Sequence, residues 1–163
     1  MSKAHVTPLS KAKAPVFETP RAVLFDAYGT LFDVYSVGLL AEQLFPGRGA
    51  RLATVWRDKQ IEYTRLVSMS AAPDERYRPF WELTRSALRH AALRLKLTLD
   101  TAAEDRLMNQ YHHLSCYPEN KAVLQALKAR GVPAGILSNG DPQMLAVAVK
   151  SAGLDGLLDP LLS

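Results

Sequence analysis

The sequence predicts an α/β fold, a core of parallel strands interrupted by a helical insertion over residues 36–115. Three observations carry this. Two short apolar runs, at 22–26 (AVLFD) and 134–137 (AGIL), empty into small polar loops containing glycine, as buried parallel strands do before a crossover helix. Between them, apolar residues recur at the helical period and give no convincing strand. The chain of 163 residues is 48% hydrophobic, enough for a packed core of ordinary domain size. Two strands, with a third starting in 157–163, make a sheet smaller than usual, so the core is expected to be incomplete at its C-terminal side.

The elements follow in order. Residues 1–20 (MSKAHVTPLSKAKAPVFETP) hold three prolines among Lys, Ala, Ser and Thr and read as a disordered leader outside the fold, without the apolar segment of a signal peptide. The core occupies 21–35 and 116–163, and its first strand, 22–26, reads as buried on both faces. A helix over 36–45 stops at Pro46-Gly47. The next, over 49–69, aligns Leu52, Val55, Trp56, Lys59, Tyr63 and Leu66 on one stripe and ends in a loop around Ala71–Asp74. A third opens at Pro79 and carries Trp81, Thr84, Leu88, Ala91 and Leu95 along one side. A fourth starts at Thr101, whose spacing to Glu104 fits a capping box, and aligns Leu107, Met108, Tyr111 and Leu114. Helix 118–130 then ends at Gly131, strand 134–137 runs into Ser138-Asn139-Gly140, and Asp141-Pro142 supplies an N-cap and first turn for a helix stopped by Gly153.

Composition excludes several classes. Of the net charge of +4, the first twenty residues carry Lys3, Lys11 and Lys13 against Glu18, and the body is nearly balanced. Arg85, Arg89, Arg94 and Lys96 are interleaved with apolar residues at helical spacing, which reads as a solvated helix face and not a nucleic-acid surface. A single cysteine allows no internal disulfide and points to a reducing, cytoplasmic setting. No apolar run approaches the roughly 18 residues of a membrane span.

The loops after the two strands should meet at the carboxyl ends of the sheet, which brings Asp26 and Ser138 to one crevice. A carboxylate at the end of a buried strand, partly desolvated and oriented by loop N–H groups, can act as a nucleophile, and it can equally cap its own loop. Tyr28 reads as a half-buried packing aromatic with a hydrogen-bonded hydroxyl. Arg57 lies beside Asp58 and off the Trp56 stripe, where a surface charge is the ordinary reading. Phe80 reads as helix packing, Thr30 as a helix-entry cap, and Ser138 with Asn139 as a turn. His112, His113 and Cys116 lack a fourth ligand and are set aside as a metal centre.

Three segments, FDAYGTLFD at 25–33, WRDKQIEYT at 56–64 and ILSNG at 136–140, resemble in this order the haloacid dehalogenase superfamily, specifically its 2-haloacid dehalogenase branch, from about Arg21 to Ser163. The resemblance implies a Rossmann-type core with the insertion as a helical cap. It implies that Asp26 is a nucleophile attacking C2 of a short (S)-2-haloacid, that Thr30 orients it, and that Arg57 draws off the halide in a pocket lined by Phe80. Ser138, Asn139 and the backbone N–H groups of Ala27 and Tyr28 would receive the substrate carboxylate and the halide region. Phosphoryl-transferring members carry a second Asp where this chain has Tyr28, and a phenol is a poor hard-cation ligand. No cofactor or metal is therefore expected, and the partner is a small-molecule 2-haloacid, with a homodimer left open. Asp58 stands where the family commonly has a neutral residue. Family members also continue past the position of Ser163, where a lysine pairing with the nucleophile and an acidic residue serving the hydrolytic water are expected. A phosphatase or phosphonate hydrolase of the same fold, or an inactive truncated chain, are the alternative readings.

Overall fold

A computed structural model describes residues 20–70 and 77–163. The leader, apart from Pro20, and the loop expected at 71–74 lie outside the described residues. The described elements are β1 (Val23–Phe25), β2 (Phe32–Asp33), α1 (Gly38–Leu44), α2 (Gly49–Ser68), α3 (Phe80–Arg94), α4 (Thr101–His112), β3 (Ser115–Cys116), α5 (Pro118–Ala129), β4 (Ala134–Leu137), α6 (Pro142–Ser151) and β5 (Leu161–Leu162).

The fold is α/β, with a parallel sheet in the order β1-β4-β5. Val23 stands opposite Ala134 and Phe25 opposite Ile136, while Ile136 and Leu137 continue the register to Leu161 and Leu162. All four insertion helices form, each within a few residues of the expected bounds. A feature the sequence did not announce is a short antiparallel ribbon, with Phe32 against Cys116 and Asp33 against Ser115, which joins the two ends of the insertion at its root. Asn120 at the start of α5 secures that root by donating to the carbonyls of Thr30 and Leu31 at 3.1 and 2.9 Å.

The first strand departs from expectation. It was to be buried on both faces, yet Leu24 is 52% exposed, and Leu137 and Leu162 on the same face are 56% and 41% exposed. Strand residues alternate between faces, so Ala134 and Ile136 reach the helix-covered core while Leu24, Leu137 and Leu162 face away from it.

Within the insertion, Leu52, Val55, Trp56, Thr84, Leu88, Ala91, Leu107, Met108 and Tyr111 are buried along the expected faces. Two corrections follow from what each face meets. The stripe of α2 does not continue through Lys59, which pairs with Glu62 at 2.7 Å, or through exposed Leu66; its inner side turns to Gln60, fully buried. Helix α4 is capped by Asp100, whose side chain accepts from the Ala103 N–H at 2.8 Å, because Thr101 is already the first helical residue. Glu104 is thereby free to face α3, where Arg89 binds it through two N–H groups at 2.7 and 2.8 Å and Arg85 stands at 3.6 Å, so part of the expected solvated arginine face is an interhelical contact.

Candidate functional site

One small cavity, of about 170 Å³, lies between the strand ends and the insertion, lined by Asp26, Tyr28, Arg57, Phe80, Ser138 and Asn139, with Ile61, Thr64 and Arg65 on the insertion side. Six of the eight residues singled out from sequence therefore line one space. Thr30 stands one step back, donating its hydroxyl to Asp26 Oδ2 at 3.3 Å. Ala27 does not line the cavity; it is fully buried, and its carbonyl accepts from the N–H groups of Thr30, Leu31 and Phe32, which curls the chain after β1 into a tight loop.

Asp26 differs from expectation in its surroundings. The end of β1 is exposed, not partly desolvated, and the Thr30 contact is the side-chain hydrogen bond holding its carboxylate. Gly29, two residues before Leu31 in this loop, has φ +98°, and a Cβ there would sit 3.2 Å from Arg57 Nη2. Glycine thus both permits the turn and leaves room for the guanidinium.

Arg57 is not a surface charge. Nη2 donates to the Tyr28 carbonyl at 2.6 Å, tying α2 to the loop after β1, and Nη1 donates to Gln60 Oε1 at 2.7 Å. The same Gln60 oxygen accepts from the Tyr111 hydroxyl at 2.9 Å, while Gln60 Nε2 donates to Thr84 Oγ1 at 2.6 Å. Thr84 Oγ1 donates in turn to the Phe80 carbonyl at 2.7 Å, and its own carbonyl accepts from Trp56 Nε1 at 2.8 Å. A buried amide without partners costs free energy; here both ends are used, so the network fixes the guanidinium against α2, α3 and α4 together. Burial pushes the Tyr111 hydroxyl up to about 12, so near neutral pH it remains a donor to Gln60. Asp58 is exposed, and no ion pair with Arg57 is formed among the described residues.

Tyr28 completes the wall. Its ring lies 5.3 Å from Phe80 and 5.7 Å from Tyr111, near-parallel to the latter, so it is buried rather than half-buried, and among aromatic neighbours its hydroxyl has no hydrogen-bond partner where one was expected. Burial, with like-charged neighbours adding to it, drives that hydroxyl well above its ordinary range, so it cannot serve as an anionic ligand near neutral pH. A Cβ on Gly140 would lie 2.5 Å from the Tyr28 ring, so the loop bearing Ser138 and Asn139 packs directly on it. His112 stacks on Trp81 at 4.2 Å and His113 Nδ1 meets the Asn109 carbonyl, which gives them roles apart from Cys116 in β3. Among the described residues no three His, Cys, Asp or Glu side chains converge to hold a metal.

Sequence reasoning missed Gln60, Thr84 and Tyr111 as parts of the site. Gln60 offered one signal, an amide where the helical period places an inward-facing residue. Asp141 was expected to cap its own helix; its side chain makes no such bond and instead accepts from the N–H groups of Phe80 and Trp81, at 3.2 and 3.1 Å.

Chemically, the cavity lining brings together a carboxylate, a guanidinium with unused N–H donors, two aromatic rings, a hydroxyl and an amide. Residues 20–163 match the family described as haloacid dehalogenase-like hydrolase. The chain is 42% identical over 143 residues to an (S)-2-haloacid dehalogenase of Pseudomonas sp. (strain YL), covering 88% of this chain and 60% of that protein. It is 57% identical to a crystal structure of an L-2-haloacid dehalogenase, with a TM-score of 0.85 over 90% of this chain and 64% of that one. The L-2-haloacid dehalogenase of Xanthobacter autotrophicus, solved with chloropropionic acid covalently bound, is 40% identical with a TM-score of 0.78, over 89% of this chain and 57% of that one. The chain spans about three fifths of the length of the curated relatives it matches.

Proposed function

Since the chain belongs to the haloacid dehalogenase-like hydrolases, we propose that its cavity serves the hydrolytic dehalogenation of short (S)-2-haloacids to (R)-2-hydroxy acids and halide. One observation carries the reading: Asp26, Arg57, Ser138 and Asn139 line a single small space in which Tyr28 occupies the position of a second carboxylate. The (S)-2-haloacid dehalogenase names of relatives near 40% identity support the same substrate class. In this reading 21–35 and 116–163 are the core and 36–115 is a cap over its mouth.

An Asp26 carboxylate oxygen attacks C2 of the substrate from the face opposite the halogen. The O–C2 bond forms as the carbon–halogen bond breaks, which inverts C2 and leaves an aspartyl ester. The departing halide moves toward Arg57, with Asn139 and Phe80 beside it. Guanidinium suits this role because it is always charged and weakly hydrated, and its fixed direction stabilises charge that develops as the bond breaks. The substrate carboxylate is received by the Ser138 hydroxyl and by the backbone N–H group at Tyr28, with Ala27 held behind the lining. Water then adds to the ester carbonyl, and its collapse releases the 2-hydroxy acid and restores Asp26. No metal enters this sequence, in keeping with a protonated phenol at position 28.

The decisive measurement is halide release from (S)-2-chloropropionate without added metal. Asp26→Asn is expected to lower it by about a thousandfold or more. Undiminished release in that variant would remove Asp26 from the chemistry, and magnesium-dependent phosphate release from a small phosphate ester would favour the phosphatase instead.

A further inference from the structure

The start of α3 has no cap of its own. Its N-cap position is Pro79, which offers no side-chain acceptor, and Phe80 and Trp81 are the first N–H groups of the helix. Both are satisfied from the start of α6: Phe80 donates to Asp141 Oδ1 at 3.2 Å and Trp81 to Asp141 Oδ2 at 3.1 Å. Asp141 is at the same time the N-cap residue of α6, where its main-chain carbonyl accepts from the Leu145 N–H at 3.0 Å and its side chain caps none of that helix's own N–H groups. One carboxylate thus faces the positive ends of two helices, one in the insertion and one in the sheet-bearing half.

We propose that Asp141 is a positioning residue that clamps α3 to the Ser138–Gly140 loop and so fixes Phe80 and Asn139 relative to one another in the cavity lining. Both ends of the clamp carry cavity residues: Phe80 is one of the two donors, and Asn139 lies two positions before Asp141. The clamp also joins the Arg57 brace, because Phe80's carbonyl accepts from Thr84, which accepts from Gln60. Loss of the carboxylate frees both edges of the cavity mouth, while the secondary structure on either side keeps its own main-chain bonds. As a statement about substrate positioning, this inference rests on the cavity being the haloacid site.

The test separates a clamp from a mere helix cap. Asp141→Ala removes both functions, and a second variant, Asp141→Ala with Pro79→Asp, gives α3 a cap within its own chain segment but no link across the mouth. In Asp141→Ala, KM for (S)-2-chloropropionate is expected to rise about fivefold to tenfold, with a smaller fall in kcat, and amide exchange to quicken at Phe80, Trp81 and Gly140. In the double variant, thermal stability and protection at Trp81 should return while KM and Gly140 exchange stay altered. Return of KM and Gly140 protection together in the double variant, or an unchanged KM in Asp141→Ala, overturns the clamp. Should the unsubstituted chain release no halide, the haloacid reading fails on its own, and exchange decides the clamp: Gly140 still fast in the double variant upholds it, Gly140 restored overturns it.

Discussion

The two charged walls of the cavity are built differently. Asp26 stands at an exposed strand end and is held by one hydroxyl at 3.3 Å, whereas Arg57 is held at 2.6 and 2.7 Å by a backbone carbonyl and by a buried amide that is itself bound to two further helices. The reason lies in what each residue grows from. A carboxylate on the residue that follows a sheet strand inherits its direction from β1, paired along its length with β4. A guanidinium at the end of a long, flexible side chain on an inserted helix inherits almost none, and its direction has to be supplied by contacts. Orientation in this cavity is therefore concentrated on the cation side, in residues that touch no ligand.

The strongest way to break this contrast is at the cation itself. Arg57→Lys keeps the charge and discards the fork that binds Tyr28 and Gln60, and kcat for halide release is expected to fall by about 10²–10³; a variant retaining most of its rate would mean that charge alone suffices. Next comes Gln60→Met, near in volume but without the acceptor that Arg57 and Tyr111 share. It leaves two donors with no partner, so urea unfolding should show a loss of about 2–4 kcal/mol, with a roughly tenfold drop in kcat as the guanidinium loosens. Smallest is Thr30→Val, which removes a long bond at an exposed carboxylate; we expect under about 1 kcal/mol in stability and a less than fivefold change in kcat. If Thr30→Val proves as damaging as Gln60→Met, the carboxylate side is the more tightly organised one and the contrast is reversed.

What could be read from the sequence follows the same division. Apolar runs that end in glycine loops marked β1 and β4, and helical periodicity marked the insertion, because burial leaves a repeating trace in residue type. The polar contacts between elements leave none. Glu104 sat at capping-box spacing from Thr101 yet serves Arg89, and Asp141 sat ahead of a proline as an N-cap yet serves α3. In each case a local partner was available and a distant one is used, a choice set by how helices meet. The β2–β3 ribbon, two residues on each side, is too short to show alternation. The exposure of Leu24 escaped for a related reason: an apolar strand looks the same whether or not its second face is covered.

The pairing of Val23 with Ala134 has a consequence for the order in which the chain assembles. Strand β4 pairs with β5 across α6 alone, but β1 meets β4 only once the whole insertion has been made between them, and non-local pairings of this kind form slowly. Helices α2 and α3, in contrast, meet partners close along the chain, and the β2–β3 ribbon draws the two ends of the insertion together. Assembly of the insertion first would shorten the effective loop that β1 and β4 must close. Pulse-labelled hydrogen exchange should then protect amides of α2 and α3 before that of Ile136; the reverse order would mean that the sheet, not the insertion, nucleates the fold.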